Sequence, residues 1–315
     1  MRKPLEVVPQ PSLPINGRTA RGAGKTAFVL SGGSSLGAIQ VGMLQALMEG
    51  GIRPDFLIGT SVGAINAAWL AAQPDVAGAQ KLAEIWSGLR RQDIFPLNAW
   101  HGALGILGRT NHVIPNSGIR AVLEKNLPFE RLEDAGLPVH VVTTDLKTGR
   151  AVVLSSGPAV PALLASTAIP GVFPPVRIGH RDLVDGGVAN HATIATAIEL
   201  GATRVIVLPI GYAWVRNQPS NALGMALHAL ARLVEQRLEA EACAYRSLAD
   251  IHMLPTVDEI AVSPADFSRT QDLIKLGYRS SRRYLAGAST PPRAIGPATA
   301  VKLAAEMSGM AAPAA

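Results

Sequence analysis

Asp55-Phe56-Leu57-Ile58-Gly59-Thr60-Ser61-Val62-Gly63-Ala64-Ile65-Asn66-Ala67-Ala68 reads as a short apolar run, a small-residue turn around a serine, and an Ala-rich helical pattern. That succession is strand, sharp turn, helix. Gly59-x-Ser61-x-Gly63 fits a nucleophile elbow, in which glycines on either side of the serine let the backbone pass through a strained turn that lifts the hydroxyl above a sheet. The helix that follows begins at the serine, so its N-terminal amides and dipole face any negative charge developing there. The same letters arise by chance in a chain with 31 glycines. Their meaning therefore rests on the flanking strand and helix and on what agrees elsewhere.

A chain of 315 residues is long enough for one large α/β domain with a substantial core. Apolar residues make up 48% and charged residues 17%, which excludes a disordered chain. With aromatics at 4%, there is little to stack on bases, and this argues against nucleic acid as a partner. The net charge of +6 is the balance expected of a solvated surface. It also suits peripheral contact with an anionic lipid surface, where each nearby cation is worth ~1 kcal/mol. The single cysteine, Cys243, has no internal partner and lies in a helical pattern beside Ala242 and Ala244, so a small core residue is expected. Pro4, Pro9, Pro11 and Pro14 interrupt the N-terminus, and no window reaches the ~18 apolar residues of a membrane span, so a cytoplasmic protein is the expectation.

The chain opens on a Pro- and Gly-rich tail, residues 1–25. Gly24-Lys25-Thr26 is not the end of a phosphate loop: the required glycine is missing at Thr19, and the segment precedes a strand instead of following one. Thr26–Leu30 is a strand, and Ser31-Gly32-Gly33-Ser34-Ser35-Leu36-Gly37 breaks it before a helix at 38–48. The glycine spacing excludes a dinucleotide fingerprint and leaves a turn whose bare amides can approach an anion.

Further on, a helix is expected at 76–91, and residues 92–116 read as an apolar loop or lid. Ser117 is expected to cap a helix running to Leu127, with strands at 139–144 and 151–154 and a helix at 161–168. A hairpin at 176–183 closes on Asp185-Gly186-Gly187. A helix at 192–200 and a strand at 204–208 follow, then helices at 220–248 and 267–285 around an edge strand near His252. Strands alternating with helices indicate a doubly wound, mainly parallel sheet. The expected organisation is a domain at 26–210, a helical part at 211–286 packed on it, and a tail at 287–315.

The Gly32-Gly33 turn, the Ser61 elbow and the Asp185-Gly186-Gly187 turn, in that order, resemble the patatin-like phospholipase family. The resemblance covers roughly residues 26–210. It includes Leu30-Ser31-Gly32-Gly33 leading to Gly37-Ala38-x-Gln40-x-Gly42, Thr143-Thr144-Asp145-Leu146, and Ala165-Ser166-x-Ala168-Ile169-Pro170-Gly171-x-Phe173-Pro174-Pro175. It implies a three-layer α/β/α fold with added C-terminal helices. It also implies a serine hydrolase of fatty acyl lipids that needs neither metal nor cofactor and works by a Ser-Asp dyad: Ser61 as nucleophile, Asp185 as base, and the amides of Gly32, Gly33 and Ser34 as oxyanion donors. Gly59, Gly63, Gly186 and Gly187 shape the two turns.

Leu36 departs from the family pattern, since many members carry Arg or Lys there; this removes a cation that could approach a substrate phosphate. Two other readings share these motifs: an acyl-lipid binding protein with weak turnover, and an acyltransferase using the same acyl-enzyme. A triad would need a histidine. His140 and His180 fall in expected strands, His191 at a helix start, and His228 and His252 late in the chain.

Overall fold

The computed structural model describes residues 24–96, 110–189, 193–210, 222–255, 262–263 and 265–287. The N-terminal tail up to residue 23, the C-terminal tail from 288, the centre of the expected loop (97–109) and His191 lie outside them.

Strand β1 (Lys25–Leu30) shows why the sheet is central. Ala27 and Val29 are buried in one apolar cluster, while Phe28 and Leu30 are buried in another on the opposite face. The same alternation runs through β2 (Phe56–Thr60), and a strand covered on both faces reads as a continuous apolar run. Between these strands lies α1 (Ala38–Glu49), and after β2 come α2 (Val62–Ala72), α3 (Val76–Gly88) and the single turn α4 (Arg91–Ile94). Next are α5 (Ser117–Asn126), β3 (Val139–Asp145), β4 (Ala151–Leu154), α6 (Ala159–Ser166), β5 (Val176–Ile178) and β6 (Arg181–Asp185). The described chain is completed by α7 (Thr193–Glu199), β7 (Ala202–Leu208), α8 (Ala222–Ala244), β8 (Asp250–Met253) and α9 (Thr270–Leu285).

The sheet runs β5-β6-β3-β2-β1-β7-β8, with β4 also paired to β3. From β3 to β8 the pairings are parallel, while β4, β5 and β6 are joined antiparallel, so the sheet is mixed but mainly parallel. Residues of α1, α2, α3, α5, α6 and α9 fill the core on one face, and those of α7 and α8 fill it on the other, giving three layers. Helix α1 is buried nearly all round because α9 lies over it: Gly42 faces the Ile274 carbonyl and Gly277 the Ile39 carbonyl, too closely for any side chain between.

Several local expectations shift. Ser117 is the first residue of α5 and not its cap; that place falls to Asn116, whose side chain makes no capping bond. His180 lies in the exposed turn between β5 and β6 rather than in a strand, because Gly179, at φ 60°, supplies the reversal. Cys243 is half-buried on α8 and not a core residue. Within the expected loop, α4 forms and Phe95 is buried, stacking on Phe173 with ring centroids 5.6 Å apart.

Candidate active site

Register on β3 brings the two halves of the site together. Parallel pairing sets Thr60 opposite Val142, and antiparallel pairing sets Asp185 opposite Thr143. The C-terminal ends of β2 and β6 thus meet end to end along one strand, and a side chain added at Gly186 would come within 3.0 Å of Thr60 Cγ2. Ser61 follows one end and Asp185 closes the other.

Ser61 sits at φ 55°, ψ −128°, a strained conformation for a residue with a side chain, between β2 and the start of α2. Its neighbours have no room for side chains: a Cβ at Gly59 would strike Ala64 and the Gly63 carbonyl, and one at Gly63 would strike the Leu30 and Ser31 carbonyls. The Ser61 amide donates to Ser166 Oγ at 2.8 Å, and that hydroxyl donates to the Val142 carbonyl at 2.6 Å. Ser166, fully buried at the end of α6, therefore ties the elbow to β3.

The Gly-rich turn abuts the serine, for a Cβ at Gly32 would lie 3.0 Å from Ser61 Cβ. Gly33 has φ 157° and packs on Ile210, and Ser34 has φ 55°. A buried polar chain supports this turn. Trp86 Nε1 donates to Asn66 Oδ1 (2.8 Å), Asn66 Nδ2 to Gln40 Oε1 (3.0 Å), and Gln40 Nε2 to the carbonyls of Ser31 and Leu208, both at 2.9 Å. Leu36 is in the apolar core.

Asp185 is 2% exposed. Its N–H donates to the Ala168 carbonyl (2.9 Å), and its carbonyl accepts from Thr144 Oγ1 (2.8 Å). Oδ1 accepts the Gly187 N–H at 2.8 Å, while Oδ2 is buried without a well-formed hydrogen bond among the described residues. Burial pushes this carboxyl up to about 6, against the opposing pull of the nearby Ser61 hydroxyl and the Gly187 amide. The Ser61 hydroxyl is near enough to act on the carboxylate, and such catalytic contacts commonly tighten when substrate binds.

A narrow cleft opens beside Ser61 and Ser34. Its wall is almost wholly apolar, with Val62, Ile65, Trp69, Phe95, Phe173 and Phe267 among its residues. No histidine lines it among the described residues. His140 is packed edge-on to Phe56, its pKa pushed down to about 4 by burial and then by Lys25, and His252 pairs with Asp250 at 2.9 Å. Among the described residues no group of three His, Cys, Asp or Glu side chains is placed to hold a metal ion. Ser61, Asp185, Gly32, Gly33, Ser34, Gly59, Gly63, Gly186 and Gly187 thus all lie around one locus. Sequence reasoning overlooked what Ser166 and Thr144 do, although both stand inside quoted motifs, and it overlooked the cavity wall, which only the fold assembles.

A family model described as patatin-like phospholipase matches residues 28–198, more than half of the chain. A curated relative, lysophospholipase NTE1 of Coccidioides immitis (strain RS), is 26% identical over 304 residues, covering 87% of this chain and 19% of that protein. Patatin-like phospholipase domain-containing protein 7 of Mus musculus is 26% identical over 282 residues, covering 81% and 20%. This chain spans about a fifth of the length of these relatives. Among solved structures, VipD from Legionella pneumophila aligns with a TM-score of 0.44 at 18% identity, covering 84% of this chain and 67% of that one.

Proposed function

The chain belongs to the patatin-like phospholipase family, and on that premise we propose that it hydrolyses fatty acyl esters of lipids, with Ser61 as nucleophile and Asp185 as base. One observation carries the reading: a strained serine faces a buried carboxylate at the mouth of an apolar cavity. A serine hydroxyl is a weak nucleophile near neutral pH and needs a base within reach. Asp185, ionised above about pH 6, takes the hydroxyl proton as Oγ attacks the acyl carbonyl. The tetrahedral oxyanion is met by the amides of Gly32, Gly33 and Ser34, each such donor being worth ~10²–10³ in rate. Collapse expels the alcohol, which receives the proton from Asp185 and leaves an acyl-Ser61 ester. Water then attacks that ester with Asp185 again as base, releasing the fatty acid and restoring the serine.

The apolar cavity suits the acyl chain, which loses contact with water there at ~25 cal/mol per Å². Exposed Val188, next to the Asp185 turn, and exposed Met225 and Leu233 on α8 suit a peripheral contact with a lipid surface. No described helix is long and apolar enough to cross a membrane.

A fluorophosphonate probe tests the reading. It should label Ser61 in the folded chain, and turnover of a short acyl ester should rise with pH along a limb near pH 6, because the base works only when ionised. An unlabelled Ser61 beside a labelled control esterase would favour a binding protein and sink the proposal.

A further inference from the structure

The turn after Asp185 is held from outside the stretch that carries the family match. Gly186–Val188 form one turn of 3-10 helix, and the carbonyls leaving it, Gly187 O and Ala189 O, both accept from Nη1 of Arg237, at 3.4 and 2.7 Å. Arg237 stands on α8, beyond residue 198 where the match ends. One helical turn on, Glu241 accepts the Ile194 N–H at 2.9 Å, at the start of α7. Positions i and i+4 of one helix face therefore grip the chain on both sides of residues 190–192. Arg237 reaches the turn along the wall of a second, small cleft, which Thr60, Gly186, Gly187, Thr193 and Glu241 also line.

Two consecutive glycines are the least restrained backbone a chain can place beside a reacting group. Here the second of them supplies the N–H that orients Asp185 Oδ1, and with it the direction of Oδ2. Nothing in the glycines themselves keeps that amide in place. A charge-assisted bond to the carbonyl of the same residue, and another two residues on, does so.

We infer that Arg237 is a positioning residue for the acyl hydrolysis proposed above, fixing the Gly186-Gly187 turn so that the Asp185 carboxylate presents Oδ2 to Ser61. The helical C-terminal part is then a working part of the site and not only a cover for the sheet.

The test uses the full chain and its R237M, R237Q and R237K variants, with p-nitrophenyl butyrate turnover, fluorophosphonate labelling and thermal unfolding measured together. R237M should lose ~10–100-fold in kcat, the effect of removing a charge-assisted hydrogen bond from a preorganised group, with KM within about twofold. Labelling of Ser61 should slow in the same proportion, and R237K should recover most of both. If R237M does not fold, R237Q, which keeps a donor without the charge, is read by the same criteria. Unchanged kcat and labelling in a folded variant, with only a lower melting temperature, overturns the positioning role and leaves the hydrolase reading standing. A parent chain that neither labels nor turns over ester overturns both.

Discussion

The two turns that meet at the site are built in opposite ways. The elbow is hemmed in by backbone: Gly59 by Ala64 and the Gly63 carbonyl of its own helix, Gly63 by the Leu30 and Ser31 carbonyls at the end of neighbouring β1, and the strain at Ser61 is stored between them. The aspartate turn is assembled at long range, by the Ala168 carbonyl, the Thr144 hydroxyl and the guanidinium of Arg237, from three separate elements. A turn hemmed in by backbone atoms is held by steric exclusion, whereas one held by hydrogen bonds is only as rigid as the fold that brings its partners together. The nucleophile is thus set by packing, and its partner carboxylate by a network of hydrogen bonds.

Substitution can break that contrast. Gly63→Ala drives a methyl into two backbone carbonyls and should cost about 3 kcal/mol or more in urea unfolding, where overpacking usually costs ~1–3. Gly187→Ala, whose methyl would meet only Val234 Cγ2 at 3.0 Å and the Asp185 carboxylate at 3.1 Å, should cost about 1 kcal/mol. Equal costs would remove the distinction between the two turns.

Ser166→Ala tests whether the elbow also draws on a distant group. It leaves the buried Ser61 N–H without its acceptor, a loss of ~1–3 kcal/mol in stability, and should lower ester turnover ~10-fold. Turnover equal to the parent's would make the elbow self-sufficient.

Asp185→Asn acts in the opposite sense. Because burial raises the folded-state pKa from 3.8 to about 6, the acid's favourable contribution is complete below pH 3.8 and is lost as pH climbs through 6. At pH 8 the parent carries a buried charge that the amide lacks, so the variant should be more stable by about 3 kcal/mol, and the difference should vanish near pH 4. Denaturant titrations at the two pH values decide it; a variant less stable at pH 8 would mean that the network favours the charged form.

The same contrast governs how much could be read from the chain. The elbow, the Gly-Gly turn and the alternation of strands with helices were legible because each follows from neighbours within a few residues: apolar runs for β1 and β2, small residues around Ser61, glycines after Asp185. The family resemblance supplied the pairing of Ser61 with Asp185, which no local pattern contains. Arg237 remained hidden because an Arg four residues before a Glu on a helix looks like solvated surface. Phe95, Phe173 and Phe267 could not be joined into one wall before the topology was known, since they lie in three parts of the chain. The cap at Asn116 instead of Ser117 and the turn at His180 are boundary shifts of one or two residues.

The end-to-end meeting of β2 and β6 on β3 makes that strand a ruler. Thr60 and Asp185 are read off against adjacent marks, Val142 and Thr143, about 3.8 Å apart along the backbone. Lengthening the Gly179-His180 turn leaves those marks untouched. One residue inserted between Val142 and Thr143 would separate them and turn every following side chain of β3 to the other face. The least editable part of this molecule is a strand that contributes no reacting atom.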